Sequence, residues 1–209
     1  MTEEPGVIVG DDGVARCWWA VSAPDYRTYH DTEWGFPVSA DVALFEKLSL
    51  EGFQAGLSWL TILRKREAFR QAFVGFDFER IARFGSRDVT RLLADPGIVR
   101  NRAKIEAVIN NARRALELVE TDGSLGHYVW RFEPGVYRSG PDRSKLAALA
   151  ASDESKALAK DLKRRGWRFV GPTTVYAFMQ AMGVVNDHLS GCQARAEATR
   201  ARKEFRVPT

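Results

Sequence analysis

From Asp41 to Met182 the apolar residues of this chain recur at helical spacing, and no run recurs at strand spacing. Leu44, Leu48 and Ala55 lie on one stripe behind Asp41, a suitable N-cap. Trp59, Ile62, Leu63, Phe69 and Phe73 mark a second helix, opened by Ser58 and ended near Gly75. Asp77 caps a short helix through Ile81 and Phe84, and Ser86 caps the next, through Val89, Leu92 and Leu93. Ile105, Val108, Ile109, Ala112, Leu116 and Val119 trace a long helix. Ser124 caps a short aromatic helix, and Ser152 starts one through Leu158 and Leu162 that Gly166 stops. Thr173 or Thr174 opens a segment apolar on nearly every side, which belongs at the centre of a core. Six or more helices with short capped connections specify an all-α fold.

The 209 residues suit one domain, and 45% apolar residues suffice for a sizeable core. The expected division is a mobile extension over 1–15, a single domain over 16–192 and a charged, solvated tail over 193–209. Residues 16–35 read as an ordered, loop-rich segment and 133–145 as a loop. No stretch of ~18 apolar residues spans a membrane. The acidic start, Met1 to Gly13, lacks an apolar signal region, so a cytoplasmic location is expected. A net charge of +4 is compatible with nucleic acid without requiring it.

Four features carry chemistry. Glu51 shares the stripe of Leu44 and Leu48, so its helix aims a carboxylate inward. Such a group needs a partner or a raised pKa; it is either a structural acid or part of a site. Gly56 breaks the helix just beyond it. Second, Cys17, His30, His188 and Cys192 include both cysteines and two of three histidines. That is the ligand set of a closed tetrahedral structural zinc, although the spacing is no zinc-finger pattern and two buried thiols with ordinary histidines fit it as well. Third, the turn Asp95-Pro96-Gly97-Ile98 precedes Arg100, Arg102 and Lys104. It suits either a helix-hairpin-helix element gripping a DNA backbone or an ordinary corner with a basic face. Fourth, Trp19, Tyr26, Tyr29, Trp34 and Trp59 could stack an extruded base or brace irregular backbone.

Several stretches together resemble one family. Cys17-Trp18-Trp19, the run Tyr26 to Gly35, the run Leu50 to Trp59, Asn101 to Ile105 and Val185-Asn186-Asp187-His188 are similar, in order, to 3-methyladenine DNA glycosylase I. The resemblance covers about Arg16 to Cys192. It implies a helix-hairpin-helix enzyme that flips N3-methyladenine out of double-stranded DNA and leaves an abasic site. By position, Cys17, His30, His188 and Cys192 correspond to zinc ligands and Glu51 to the base-contacting acid. Tyr26, Tyr29, Trp34, Trp59 and Trp19 correspond to rings of the pocket or near it, and Leu57 to a wedge in the base stack. Phe53 departs from the pattern, where a polar residue is common, and is expected at the pocket rim. After the long helix the only acids on offer as a water-activating base are Glu117, Glu120 and Asp122, none of them persuasively placed. No lysine lies within the pocket motifs, which implies a monofunctional enzyme without lyase activity. A monomer needing no obligate protein partner is expected. The rivals are a zinc-stabilised binder of alkylated DNA without activity and a glycosylase for another damaged base.

Overall fold

The computed structural model describes residues 6–135 and 141–209. Residues 1–5 of the expected extension and 136–140 of the expected loop lie outside the described residues. The order is β1 (Val7–Val9), β2 (Ala15–Cys17), α1 (Pro24–Thr32), α2 (Asp41–Gln54), α3 (Trp59–Ala72), α4 (Phe78–Ile81), α5 (Ser86–Ala94) and α6 (Arg102–Asp122). Then follow α7 (Leu125–Trp130), α8 (Arg143–Ala148), α9 (Asp153–Arg164), α10 (Pro172–Ala181) and α11 (Gln193–Glu204).

α2 is the hub. Leu44, Phe45, Leu48, Leu50 and Phe53 are all buried on it, and it packs against α3, α6, α7 and α10. Burying a large apolar side chain contributes about 2 kcal/mol, so this one helix anchors much of the core. α10 buries Val175, Tyr176, Phe178, Met179 and Ala181, as its all-round apolar pattern requires. Ser58, Asp77, Ser124 and Ser152 each cap their helices by accepting a backbone N–H.

The structure departs from the sequence reading at several places. Residues 7–17 are not a free extension. Val7 pairs with Cys17 and Val9 with Ala15 in an antiparallel hairpin. The β-branched run Val7-Ile8-Val9 and the turn at Gly13 (φ +73°) allow it. Three-residue strands are too short to show alternation. Arg16 ties the hairpin to α1 by bonding Asp12 (2.8 Å) and Asp31 (2.9 Å). Residues 16–35 hold α1, begun by Pro24 at its first position. The expected loop over 133–145 ends in α8. The charged tail forms α11, docked through buried Ala194 and Ala198. Arg202 bonds Glu133 (2.6 Å), and Phe205 stacks on Trp130 at 4.5 Å. Gly85, not Ser86, caps α5, and Gly171 precedes Pro172 at α10. Ala55 lies beyond α2 and is exposed.

After α10 the chain turns at Gly183 (φ +68°), where a Cβ would lie 2.4 Å from the backbone carbon of Phe36. Val38 N–H donates to Met182 O at 3.2 Å, which locks the two segments together. Gly123 also has positive φ (+82°), but nothing lies within 4 Å of its missing Cβ. Gly183→Ala should therefore cost about 3 kcal/mol and lower Tm by about 10 °C, whereas Gly123→Ala should cost only about 1 kcal/mol. Thermal melts of the two variants check this.

Candidate active site

A cleft of about 320 Å³ opens beside α2, lined by Trp19, Tyr26, Tyr29, Trp34, Trp59 and Glu51, with Gln54, Leu146, Leu149, Ala177 and Gln180. Each ring arrives on a different support. Trp19 comes from the short turn Trp18–Ser22 and stands edge-on to Tyr26 (5.6 Å) and Trp34 (5.1 Å). Tyr26 and Tyr29 project from α1 at i, i+3. The Tyr26 hydroxyl accepts the Leu60 N–H (2.9 Å), one of the unpaired donors at the start of α3. Trp59 begins α3, and its ring lies 5.6 Å from that of Tyr29. The sequence-selected rings and Glu51 thus share one cavity.

Glu51 is the sole acid among the described residues that line the cleft. It is 5% exposed. Burial raises its pKa to about 7, and the positive charge of Lys47 works against that rise. Lys47, one helical turn earlier, is also buried, and its Nζ donates to Tyr29 Oη at 2.8 Å. Burial lowers the Lys47 pKa to about 8, opposed by Glu51. The sequence reading placed no lysine in the pocket motifs; Lys47 stands directly behind them. Its i, i+4 spacing to Glu51 was the available signal, hidden because a lysine in a helix is usually solvated.

Gln54 and Gln180 are lining residues that sequence reasoning missed. Gln180 Nε2 donates to Asp187 (3.0 Å), so its amide orientation is set by a carboxylate that also accepts from Tyr176. Phe53 is not at the rim. It is 1% exposed and packs on Phe69 (4.5 Å) and Phe73 (5.9 Å), on the core side of α2. It therefore carries no hint of an altered substrate.

Beneath the rings, Cys17, His30 and Cys192 present ligand atoms within 4.8 Å of one another, a group able to hold a metal ion. His188 adjoins it, its ring 4.9 Å from that of His30. Its Nε2 is buried without a hydrogen-bond partner, while its Nδ1 meets Asn186 Oδ1 at 3.0 Å. His30 Nδ1 likewise meets Asp31 at 2.8 Å. Second ring nitrogens held by oxygen acceptors are characteristic of metal-ligating histidines. Burial lowers the His188 pKa to about 4, so it is neutral. Cys192 falls to about 3, chiefly because the Cys17 thiol donates to it. Gly35 is required here, since a Cβ would lie 2.5 Å from His188 Cε1. Trp34 contacts His188 at 4.7 Å, so the cluster supports the cleft wall.

The turn between α5 and α6 differs in detail from expectation. Gly97 N–H is taken by Asp95 Oδ1 at 2.7 Å, and Lys65 bonds Pro96 O (3.0 Å) and Gly97 O (3.1 Å). Ile98 is 3% exposed and belongs to the core. Lys104 is buried and donates to Phe53 O (2.9 Å) and Ala55 O (2.6 Å). It satisfies carbonyls at the C-terminus of α2 and is unavailable to a phosphate. Arg100 and Arg102 are exposed, and Arg102 reaches Glu106 at 3.3 Å. Leu57, in the loop after α2, is 41% exposed. The acids expected after the long helix lie within the last turns of α6; Asp122 pairs with Arg131 (2.6 Å) and Arg165 (2.9 Å), Glu117 pairs with Arg114 (2.8 Å), and neither they nor Glu120 line the cleft.

The sequence and fold were compared with known proteins. The family profile described as methyladenine glycosylase matches residues 19–196. DNA-3-methyladenine glycosylase 1 of Escherichia coli (strain K12) is 46% identical over 180 residues, covering 85% of this chain and 95% of that protein. A crystal structure of 3-methyladenine DNA glycosylase I superposes with a TM-score of 0.80 at 47% identity, covering 85% of this chain and 98% of the other. The enzyme from Staphylococcus aureus, solved to explain its 3-methyladenine recognition, superposes with a TM-score of 0.81 at 37% identity, covering 86% and 96% of the two chains. With the profile spanning every residue that lines the cleft, from Trp19 to Gln180, this chain belongs to the methyladenine glycosylase family.

Proposed function

We propose that this protein excises N3-methyladenine from alkylated double-stranded DNA as a monofunctional glycosylase of base excision repair. The single observation that carries the reading is Glu51, the lone acid among the described residues that line an aromatic cleft. The Escherichia coli and Staphylococcus aureus relatives, both named for 3-methyladenine, support it. A nucleotide extruded from the duplex would place its base among Trp19, Tyr26, Tyr29, Trp34 and Trp59, with stacking against Tyr29 and Trp59. Glu51 accepts hydrogen bonds from the exocyclic amine and adjacent ring edge of adenine. Guanine presents a carbonyl there and is repelled. N3-alkylated adenine is cationic, so its bond to the sugar is already weakened, and the site stabilises the departing base without a strong carboxylate base for water. The pairing of Asp122 and Glu117 in remote ion pairs agrees with this.

DNA approaches the face carrying Leu57, Arg100 and Arg102. In this reading α5, the turn after it and α6 form a helix-hairpin-helix element that holds the backbone, and Leu57 enters the base stack. Ile98, the Gly97 amide and Lys65 hold the turn in shape, and Lys104 ties α6 to the end of α2. Cys17, His30, His188 and Cys192 would together hold a structural zinc ion; the orphaned His188 Nε2 and the thiolate character of Cys192 suit that group. Zinc would join the start of the domain to its end and add no chemistry to the reaction. The protein works as a monomer in the cytoplasm.

Glu51→Gln should lower N3-methyladenine release by about 10²-fold while binding to methylated DNA is largely kept, measured by chromatography of freed bases beside gel shifts. A non-enzymatic binder would show no release from the native protein and lost affinity in the variant. Elemental analysis of the native protein should find a single zinc ion per chain, absent in Cys192→Ser. Its removal should lower Tm by about 10 °C or more.

A further inference from the structure

Lys47 has no part in the reading above, yet it places an ammonium inside the hub helix with only 5% of its surface exposed. An ammonium has three donors and no acceptor. Its hydrogen bond to Tyr29 Oη (2.8 Å) therefore makes the phenol oxygen the acceptor and leaves the phenol proton for another partner. Lys47 does not line the cleft, whereas Tyr29 and Trp59 do, so it meets those rings from the protein interior. Its Nζ lies 4.5 Å and 4.2 Å from their centroids. The charged and titratable groups around it are Glu46 and Glu51 on α2, Tyr29 on α1, Glu33 just past its end, and Arg66 from α3. Glu33 is tied to Arg66 (2.9 Å) and Glu46 to Arg70 (3.0 Å). Glu51, at i+4 from Lys47, has no such ion pair among the described residues and is left as its counter-charge.

We propose that Lys47 is a positioning residue of the excision site: it fixes Tyr29 as an acceptor from behind and keeps Glu51 a carboxylate that faces the base. The proposal rests on Glu51 reading the base. It also alters the division of labour in selecting a cationic purine. A ring that already holds an ammonium on one face attracts a second cation less on the other. Discrimination of alkylated from normal adenine then falls to the charge of Glu51, and the rings supply stacking.

The test is kcat/KM for N3-methyladenine release from methylated DNA, followed against pH. The native protein should show an acid limb near pH 7, from Glu51, and an alkaline limb near pH 8, from Lys47. Lys47→Met keeps the stem and removes the charge. Without the ammonium that lowers the Glu51 pKa, the carboxylate forms at higher pH. The acid limb should move up by about one pH unit, release at pH 7 should fall about fivefold and the alkaline limb should vanish. Lys47→Gln keeps a donor to Tyr29 without charge and should move the acid limb equally. Limbs unmoved in both variants, with a uniform loss of rate, would overturn the proposal and leave Lys47 a packing residue. Glu51→Gln run beside them separates the two readings. Full release by that variant removes the base-reading role itself, whereas its inactivity with unmoved lysine-variant limbs removes the Lys47 proposal alone.

Discussion

A carboxylate set into the wall of a cleft, on a helix otherwise packed with leucine and phenylalanine, makes the demand that the rest of this structure meets. Desolvating Glu51 favours its neutral form. A neutral acid reads adenine poorly and gains nothing from the base's positive charge. The fold answers with a cation one helical turn away and with neighbouring acids committed to arginines. The carbonyls of Phe53 and Ala55, just past Glu51, are held by Lys104. That bond joins α6 to α2 and sets where the loop bearing Leu57 leaves the core.

The cleft is assembled from short pieces, and its precision comes from what lies beneath it. Trp19 contacts His30 at 5.1 Å, and Trp34 contacts His188 at 4.7 Å. His30 belongs to the Cys/His cluster between the N-terminal hairpin and the segment before α11, and His188 adjoins it. A metal ion held by that cluster would cross-link distant parts of the chain, restrict its unfolded ensemble and fix the edge of an aromatic wall built on irregular backbone. Asn186 and Asp187 extend the arrangement. Asn186 orients His188, and Asp187 orients Gln180 in the cleft.

Helices with strong period and side-chain caps, such as α3, α6 and α9, were legible in the sequence because local chemistry alone specifies them. Glu51 was legible as inward-facing for the same reason. The hairpin over 7–17 and α11 were not, since their stability comes from ion pairs and stacking with distant residues, Asp31, Glu133 and Trp130 among them. The basic residues of the α5–α6 turn show a second limit. Arg102 and Lys104 look alike in sequence, yet one is solvated and the other buried against carbonyls of α2. Phe53 shows the same in reverse, because helical phase alone decides whether a residue beside Glu51 meets the cleft or the core. Lys47 escaped notice because a buried lysine is uncommon and its partner, Tyr29, lies on another helix.

The most direct measurement is to incubate the purified protein with DNA treated with a methylating agent and to identify the bases set free. Release of N3-methyladenine, with N7-methylguanine retained and strands broken only by later alkali, is the result expected if Glu51 reads adenine in the cleft. Binding of the damaged DNA with no base released, or release of a different base in its place, contradicts it.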